Sequence, residues 1–384
     1  MRIACIATSK VPSRTANSIQ VMKVCQALSE LGHDLSLWLP GDTVEADWDA
    51  LREHYGVRAT YPIRRVRAIP GLRRYDFCLR AVLQARDWAA DLLYLWPIQA
   101  AAIAAWLHLS SVLEVHDRPR GRLGSRLFHS YLNSRTPHRI LPISRALESW
   151  LSSAYAMPLE PPLSMIAPDG IDLERYEDLP DPPEARRRLG LPQRFTAVYT
   201  GHLYPGRGVE LVLDLAKRAG SISFVIAGGE PGAIEHWRHE AEKSDLDNMH
   251  FLGFVPNAEL PFVQAAGDAL LMPYARQIAV SGGGDTSAYA SPMKMFEYMA
   301  AGRVILSSDL PVLREVLNEE NAVLLPPEEP HAWQLALEDV KRNPQRAAKL
   351  ATRACEDARR FTWVERARPS LEGLSASDEA HDAR

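Results

Sequence analysis

Short apolar runs alternate with longer amphipathic stretches along almost the whole chain. In the first half, apolar runs at 3–8, 35–39, 92–95, 112–115 and 140–143 predict strands. Between them, 18–31 has helical periodicity and ends at Gly32-His33, an alanine-rich helix follows 92–95, and Ser144 caps a helix that runs through Ala154. The same alternation restarts later. Runs at 196–200, 223–227, 250–252, 269–272, 304–307 and 322–325 predict strands, and 209–218, 234–243, 260–266, 292–300, 331–342 and 345–360 predict helices. Strand–helix alternation of this kind implies parallel sheets covered by helices on both faces. The stretch 172–191 breaks the pattern with Pro, Asp, Glu and Arg, as in Leu179-Pro180-Asp181-Pro182-Pro183. The expected architecture is α/β. It has a first doubly wound, Rossmann-like domain over 1–178, a linker at 179–192, and a second such domain over 193–362. A tail over 363–384 follows, its start packing back on the first domain and its end, 375–384, without regular structure.

Bulk properties narrow the function classes. The 384 residues, 46% of them apolar, are enough for two domains with cores of their own. A net charge of −4 argues against a nucleic-acid binder, which needs a basic excess. Cys5, Cys25, Cys78 and Cys355 are far apart, show no metal-ligand spacing, and fit a reducing compartment. The start, Met1-Arg2-Ile3-Ala4-Cys5-Ile6-Ala7, reads as a first strand and not as a signal peptide, and the most apolar window, 91–109, reads as a strand and a buried helix and not as a membrane span.

Two segments carry candidate chemistry. Ser291-Pro292-Met293-Lys294-Met295-Phe296-Glu297-Tyr298-Met299-Ala300-Ala301-Gly302 places one carboxylate, Glu297, in an apolar helical pattern after the run Gly282-Gly283-Gly284. The N–H groups and dipole of such a helix start favour an anion, and a carboxylate further along it can accept hydrogen bonds from ribose hydroxyls. The alternative is a buried helix with one isolated acid. Tyr199-Thr200-Gly201-His202-Leu203-Tyr204-Pro205-Gly206-Arg207-Gly208 leads a strand through a glycine loop into a helix, with Arg207 placed to bind phosphate. Its plainer reading is a tight turn with a solvated arginine. Gly206-Arg207-Gly208 lacks the third glycine of a dinucleotide fingerprint, and the loop after the first strand has no glycine, which disfavours an NAD-dependent dehydrogenase. Asp245-Leu246-Asp247 has the Asp-x-Asp form of a metal-binding motif but reads as a solvated turn.

With these two segments come Phe224-Val225-Ile226-Ala227-Gly228-Gly229, His250-Phe251-Leu252-Gly253-Phe254-Val255-Pro256 and Asp268-Ala269-Leu270-Leu271-Met272-Pro273-Tyr274. In this order the motifs resemble family-4 glycosyltransferases of the GT-B fold. Ala167-Pro168-Asp169-Gly170-Ile171-Asp172 matches the loop closing their first domain, and Pro142-Ile143-Ser144-Arg145-Ala146-Leu147 the helix before it. The resemblance covers nearly the whole chain. It implies two Rossmann-like domains facing a cleft, transfer of a sugar from a nucleoside-diphosphate sugar with retention of configuration, no bound metal, and no cofactor beyond the donor itself.

Residue by residue, the resemblance gives Glu297 the nucleotide ribose. The partner glutamate of the family's motif falls at position 289, where this chain has Tyr289. Lys294, in the Ser291-Pro292-Met293-Lys294 variant, supplies charge to the diphosphate, with Gly201, His202 and Arg207 standing where the family's glycine loop carries a basic pair. His202 is neutral at pH 7 unless its pKa is raised. In the first domain, Leu113-Glu114-Val115-His116-Asp117-Arg118 ends a strand, and His116 matches the family position beside the donor sugar, with Asp117 next to it; a solvated loop histidine is the plainer reading. Asn17 and Ser18, after the first strand, are placed to meet donor phosphate or acceptor, with simple helix capping by Ser18 as the alternative. Residues 58–86 carry eight arginines against Asp76 alone, with Tyr61, Ile69, Leu72 and other apolar residues interleaved. That composition fits a lipid-linked acceptor or peripheral contact with anionic lipid, or else a solvated helix face.

The expected function is therefore a hexosyl-type glycosyltransferase acting on a glycan or lipid-linked acceptor in cell-surface polysaccharide or glycolipid synthesis. The expected location is the cytoplasm, at the inner face of the membrane, without nucleic-acid partners. Two rivals share the fold: a nucleotide-sugar epimerase, and a non-catalytic nucleotide-sugar-binding partner in a glycan assembly complex, the latter motivated by the changes at 202 and 289.

Overall fold

The structure is a computed structural model that describes residues 1–72, 74–279 and 285–374. It divides into two compact units. The first is Met1–Asp169 together with the chain from Trp363 onward, and the second is Gly170–Thr362.

In the first unit the elements run β1 (Arg2–Ile6), α1 (Ala16–Glu30), β2 (Asp34–Pro40), α2 (Trp48–Tyr55), β3 (Ile63–Val66), α3 (Tyr75–Asp87), β4 (Leu92–Leu95), α4 (Ile98–Trp106), β5 (Ser111–Val115), α5 (Gly121–Leu132), β6 (His138–Pro142) and α6 (Arg145–Tyr155). The strands form one parallel sheet in the order β3-β2-β1-β4-β5-β6. Strands β4 and β5 in its middle are buried along their whole length and mostly apolar, as a sheet covered on both faces requires. Ser144 caps α6 by accepting a hydrogen bond from the Leu147 N–H at 3.2 Å.

The second unit has α7 (Pro182–Arg188), β7 (Thr196–Thr200), α8 (Val209–Arg218), β8 (Ser223–Ala227), α9 (Pro231–Lys243), β9 (Met249–Gly253), α10 (Leu260–Ala265), β10 (Ala269–Met272), α11 (Met293–Ala300), β11 (Val304–Ser308), β12 (Val323–Leu325), α12 (Pro330–Arg342) and α13 (Pro344–Ala358). Its parallel sheet has the order β12-β11-β10-β7-β8-β9. Trp333, Tyr199, Phe224 and Leu337 are among the fully buried residues that form its core. A last helix, α14 (Trp363–Ser370), returns to the first unit and lies against α1. In both sheets the strand order reverses beside the first strand of the unit, between β1 and β4 and between β7 and β10. Ligands of such sheets bind beyond the carboxyl ends of the strands at that reversal.

Several elements differ from the sequence pattern. The chain divides after Asp169, ahead of the expected end of the first domain at 178. The Ile171 N–H donates to the Phe361 carbonyl at 2.9 Å, and Arg175 bonds to Asn257, so 170–178 is tied to the second unit. The expected linker at 179–192 holds α7, whose start Asp181 caps by accepting from the Glu184 N–H at 2.9 Å. Helix α13 ends at Ala358, short of the expected 360, and gives way to a 3-10 turn over Arg359–Phe361. Elements α2, β3, α3, α5 and α14 are not among those the sequence pattern assigns. In β3 two successive arginines hide the strand; the Arg64 guanidinium lies 5.3 and 5.8 Å from the ring centres of Trp38 and Trp88. The glycine run Gly282-Gly283-Gly284 and the tail at 375–384 lie outside the described residues.

Candidate functional site

The donor-side candidates of the second unit converge at the reversal between β7 and β10. Strand β7 ends at Thr200 and the chain turns at Gly201, with φ +132°, a conformation that favours glycine. Helix α11 leads into β11, which pairs with β10, so its first turn lies at the carboxyl edge of the sheet, close to that loop. Lys294, in this first turn, extends beneath Gly201, where an added Cβ would stand 2.8 Å from the lysine Nζ. Glycine is thus required twice, by its backbone angle and by the amine passing close to it.

The amine sits in an unusual place. Lys294 is 9% exposed, and among the described residues its Nζ has no hydrogen-bond partner. Nζ lies 3.9 Å from the centre of the Tyr199 ring and 5.4 Å from that of Tyr274. Burial pushes the amine pKa well below the usual lysine range, nearby Arg207 lowers it further, and the Glu297 carboxylate draws it back up. The ring face attracts a cation, but burial dominates, because the face replaces only part of the lost hydration. An amine held in this way can gain a strong partner when an anion arrives.

Arg207 is the second cation of this region. Its guanidinium donates to the Tyr274 hydroxyl at 3.1 Å and to the Ala279 carbonyl at 3.4 Å, while Nε has no partner among the described residues. Gly208, at φ +89°, caps α8 immediately after it; an added Cβ would fall 1.8 Å from the Pro273 carbonyl oxygen, so the loop is locked against the β10 end. The His202 ring stacks on Tyr204 with centroids 4.9 Å apart, and the His202 carbonyl accepts from the Tyr199 hydroxyl at 2.6 Å.

Glu297 lies three residues past Lys294 on α11, on the same side of the helix. It is 7% exposed. One carboxylate oxygen accepts from the Asn257 amide at 3.2 Å and the other from the Gln264 amide at 3.2 Å. The Gln264 amide also reaches the Thr200 hydroxyl at 3.3 Å, and the Tyr298 hydroxyl accepts from the Thr200 N–H at 2.8 Å. Ser291 and Tyr289 precede the helix, 9% and 5% exposed, so position 289 offers a buried phenol where the resemblance implies a carboxylate. Asp245 and Asp247 lie in the turn between α9 and β9, at the amino edge of the sheet, away from this site.

In the first unit, β5 delivers His116 one residue past its end. The imidazole, with 28% of its side chain exposed, sits with Nε2 3.1 Å from a carboxylate oxygen of Glu114. Glu114 is fully enclosed and forms a two-pronged ion pair with Arg366 of α14, at 2.7 and 2.6 Å. The Tyr94 hydroxyl also donates to Glu114, at 2.5 Å. Burial alone would raise the Glu114 pKa, but the Arg366 charge and the hydrogen bonds from His116 and Arg366 outweigh it and bring it down to about 2. Arg366 in turn donates to the Pro168 and Ala167 carbonyls at 2.7 and 3.1 Å, so α14 clamps the end of the first unit to the strand that carries His116.

The other first-unit candidates are more engaged than the sequence implied. Asp117 accepts from the Arg118 N–H at 2.7 Å and from Arg120 at 2.6 and 3.0 Å. The Asn17 side chain meets the Ser9 hydroxyl. Ser18 is fully buried, and its hydroxyl lies 2.8 Å from the Ser13 carbonyl and 2.9 Å from that of Thr15, which holds the loop and does not cap α1. Within 58–86, Arg58 pairs with Glu30, Arg65 and Arg74 donate to the Val11 and Thr8 carbonyls of the same loop, and Arg80 pairs with Asp76. Ile69, Leu72 and Leu79 are exposed. No helix among the described residues is long and apolar enough to cross a membrane.

Sequence reasoning missed Asn257, Gln264, Glu114 and Arg366. The first two come from separate loop and helix positions with no shared period. The last two meet across 252 residues, although Glu114, a single charge within the apolar run of β5, was a usable signal.

Comparison with known proteins bears on the family and the fold. Residues 194–343 match the family model described as glycosyl transferases group 1. The chain is 30% identical over 298 residues to a 2-deoxystreptamine glucosyltransferase of Streptomyces kanamyceticus, covering 66% of this chain and 74% of that one. It is 29% identical over 180 residues to a GDP-mannose-dependent phosphatidylinositol monomannoside mannosyltransferase of Mycobacterium tuberculosis, covering 40% and 46% of the two chains. The structure of Anabaena HepE in complex with UDP-glucose superposes with a TM-score of 0.75 at 18% identity, covering 97% of this chain and 99% of that one. That likeness is one of fold, and the fold is GT-B.

Proposed function

The chain belongs to the glycosyl transferases of group 1, and on that footing we propose that it moves a hexosyl group from a nucleoside-diphosphate sugar to a glycan or lipid-linked acceptor with retention of anomeric configuration. The second unit binds the donor and the first the acceptor. The observation that carries this reading is the Lys294 amine, buried without a hydrogen-bond partner among the described residues beneath Gly201, in the first turn of a helix and near Arg207. A diphosphate supplies the charge this arrangement lacks. As the glycosidic bond breaks, the leaving diphosphate gains negative charge. Lys294, Arg207 and the first N–H groups of α11 are preorganised to hold it. These donors offset part of the charge on the leaving group, and we propose that the reaction uses no metal ion and no cofactor. Glu297 takes the ribose hydroxyls. His116 is assigned the catalytic role beside the donor sugar, with its ring oriented by Glu114, and Asn17 and Asp117 lie on the acceptor side.

The relative named a glucosyltransferase and the neighbour holding UDP-glucose make UDP-glucose the first donor to try, with GDP-mannose second. An aminocyclitol such as 2-deoxystreptamine belongs in the acceptor panel beside lipid-linked glycans. Synthesis of surface polysaccharide or glycolipid at the inner face of the membrane is the setting we propose. The exposed Ile69, Leu72 and Leu79 within the arginine-rich stretch support peripheral contact there. The test is a panel of nucleoside-diphosphate sugars with those acceptors, with EDTA present, read as nucleotide release and new glycoside. The reading predicts acceptor-dependent transfer that EDTA leaves intact. Conversion of the donor sugar without acceptor would favour an epimerase, and donor binding without turnover would favour a non-catalytic partner.

A further inference from the structure

Behind Glu297 lies a closed set of buried polar contacts whose geometry is over-determined. The Asn257 and Gln264 amides each face one carboxylate oxygen. An amide can flip, but neither of these is free to do so. The Asn257 side-chain oxygen accepts from Arg175 at 2.9 Å, and Arg175 also holds the Asn257 backbone carbonyl. The Gln264 side-chain oxygen accepts from the Tyr176 hydroxyl at 3.0 Å. Arg175 and Tyr176 sit together on one 3-10 turn, Leu173–Tyr176, just after the chain enters the second unit. With each oxygen end occupied by a donor, only the NH2 ends can face Glu297. Asn257, Gln264 and Glu297 are all under 9% exposed.

A carboxylate has about four acceptor positions, two on each oxygen. The amides occupy one on each oxygen, and among the described residues no other side-chain donor is seen on either, which leaves one on each for a ligand. A vicinal diol has two donors with matching spacing. We infer that Asn257, Gln264, Arg175 and Tyr176 are positioning residues that make the Glu297 carboxylate selective for the ribose cis-diol over a 2′-deoxyribose. This rests on the proposed role of Glu297 at the ribose. A deoxynucleotide leaves one buried acceptor position unfilled, and sites built to bond a hydroxyl reject analogues that lack it. Without the bracket the carboxylate turns, and a single hydroxyl satisfies it as well as two.

The experiment is calorimetric titration of the full chain with UDP, 2′-deoxy-UDP, GDP and 2′-deoxy-GDP. The proteins are wild type, Gln264→Met and Tyr176→Phe. For the base that binds more tightly, the wild type is expected to prefer the ribonucleotide by about 10-fold or more. Both variants should lose most of that ratio, through weaker ribonucleotide binding with deoxynucleotide binding little changed. A general loss of folding would weaken both ligands alike and leave the ratio intact, so the ratio separates positioning from mere support. Tyr176→Phe removes a single oxygen and carries the test if Gln264→Met does not fold. A wild-type ratio kept in the folded variants overturns the inference while leaving Glu297 at the ribose. A wild-type ratio near one overturns the ribose role of Glu297 itself, and the inference with it.

Discussion

Replacing Lys294 by methionine separates what this residue does for binding from what it costs the fold. Methionine has nearly the same length and fits between the Tyr199 and Tyr274 rings without asking for a hydrogen bond. In the unliganded protein the amine is buried without a partner among the described residues, and its lowered pKa means that the surroundings disfavour its charge. An unsatisfied buried polar group costs about 1–3 kcal/mol, offset in part by the ring contact, so the net gain on removal is about 1 kcal/mol. In a unit of this size that raises the melting temperature by roughly 2–4 °C. With nucleotide the sign reverses. A charge-assisted hydrogen bond to phosphate contributes about 1.5–3 kcal/mol, so UDP or GDP affinity should fall by roughly 10- to 100-fold. The wild type should also bind nucleotide more weakly as pH rises. Once the pH exceeds the lowered pKa, binding must take up a proton to recharge the amine, and the methionine variant should lose that dependence. Calorimetry over a pH series and a melting curve of each protein measure all three effects. A variant that melts lower than wild type and binds diphosphate within twofold of it would refute the reasoning.

Two other outcomes follow from the geometry. Glu114 has a folded pKa of about 2 against 4.5 for a free glutamate. Ionisation of Glu114 therefore contributes about 3 kcal/mol above pH 4.5, lost as pH falls from there through about 2; acid unfolding of Glu114→Gln should be flatter over that range, and an unchanged acid profile would contradict it. Gly201→Ala forces a side chain into φ +132° and against the Lys294 amine, so it should lower stability by roughly 1–3 kcal/mol and weaken diphosphate binding, checked by melting and titration.

Much of the fold was legible because parallel strands buried on both faces are short, apolar and closely spaced. Thr196–Thr200, Ser223–Ala227 and Ala269–Met272 have the ends the sequence pattern assigns them. The pattern failed where polar residues build an element. Of the two arginines of Ile63–Val66, Arg64 lies over indole rings and Arg65 holds the Val11 carbonyl, and α7 is signalled by its Asp181 cap and first-turn prolines, features equally typical of a linker. The placing of Gly201, Lys294 and Glu297 at one edge of the sheet was readable because a glycine loop and a helix start have fixed places at a sheet reversal. How they are held was not readable. The amides around Glu297 and the arginine behind Glu114 come from distant positions, and only the folded chain shows that Lys294 is buried beneath a glycine and not solvated. Ser18 shows the converse. Its position at a helix start invited a role with ligand, whereas its hydroxyl is occupied by the loop.

The most direct test of the central claim is proton NMR of the purified chain with UDP-glucose or GDP-mannose and the acceptor panel. The account predicts release of the nucleoside diphosphate in step with one new glycosidic signal whose anomeric configuration matches that of the donor. Nucleotide release with the opposite configuration would contradict the retaining chemistry, and a folded protein that neither binds nor consumes any donor of the panel would contradict the account as a whole.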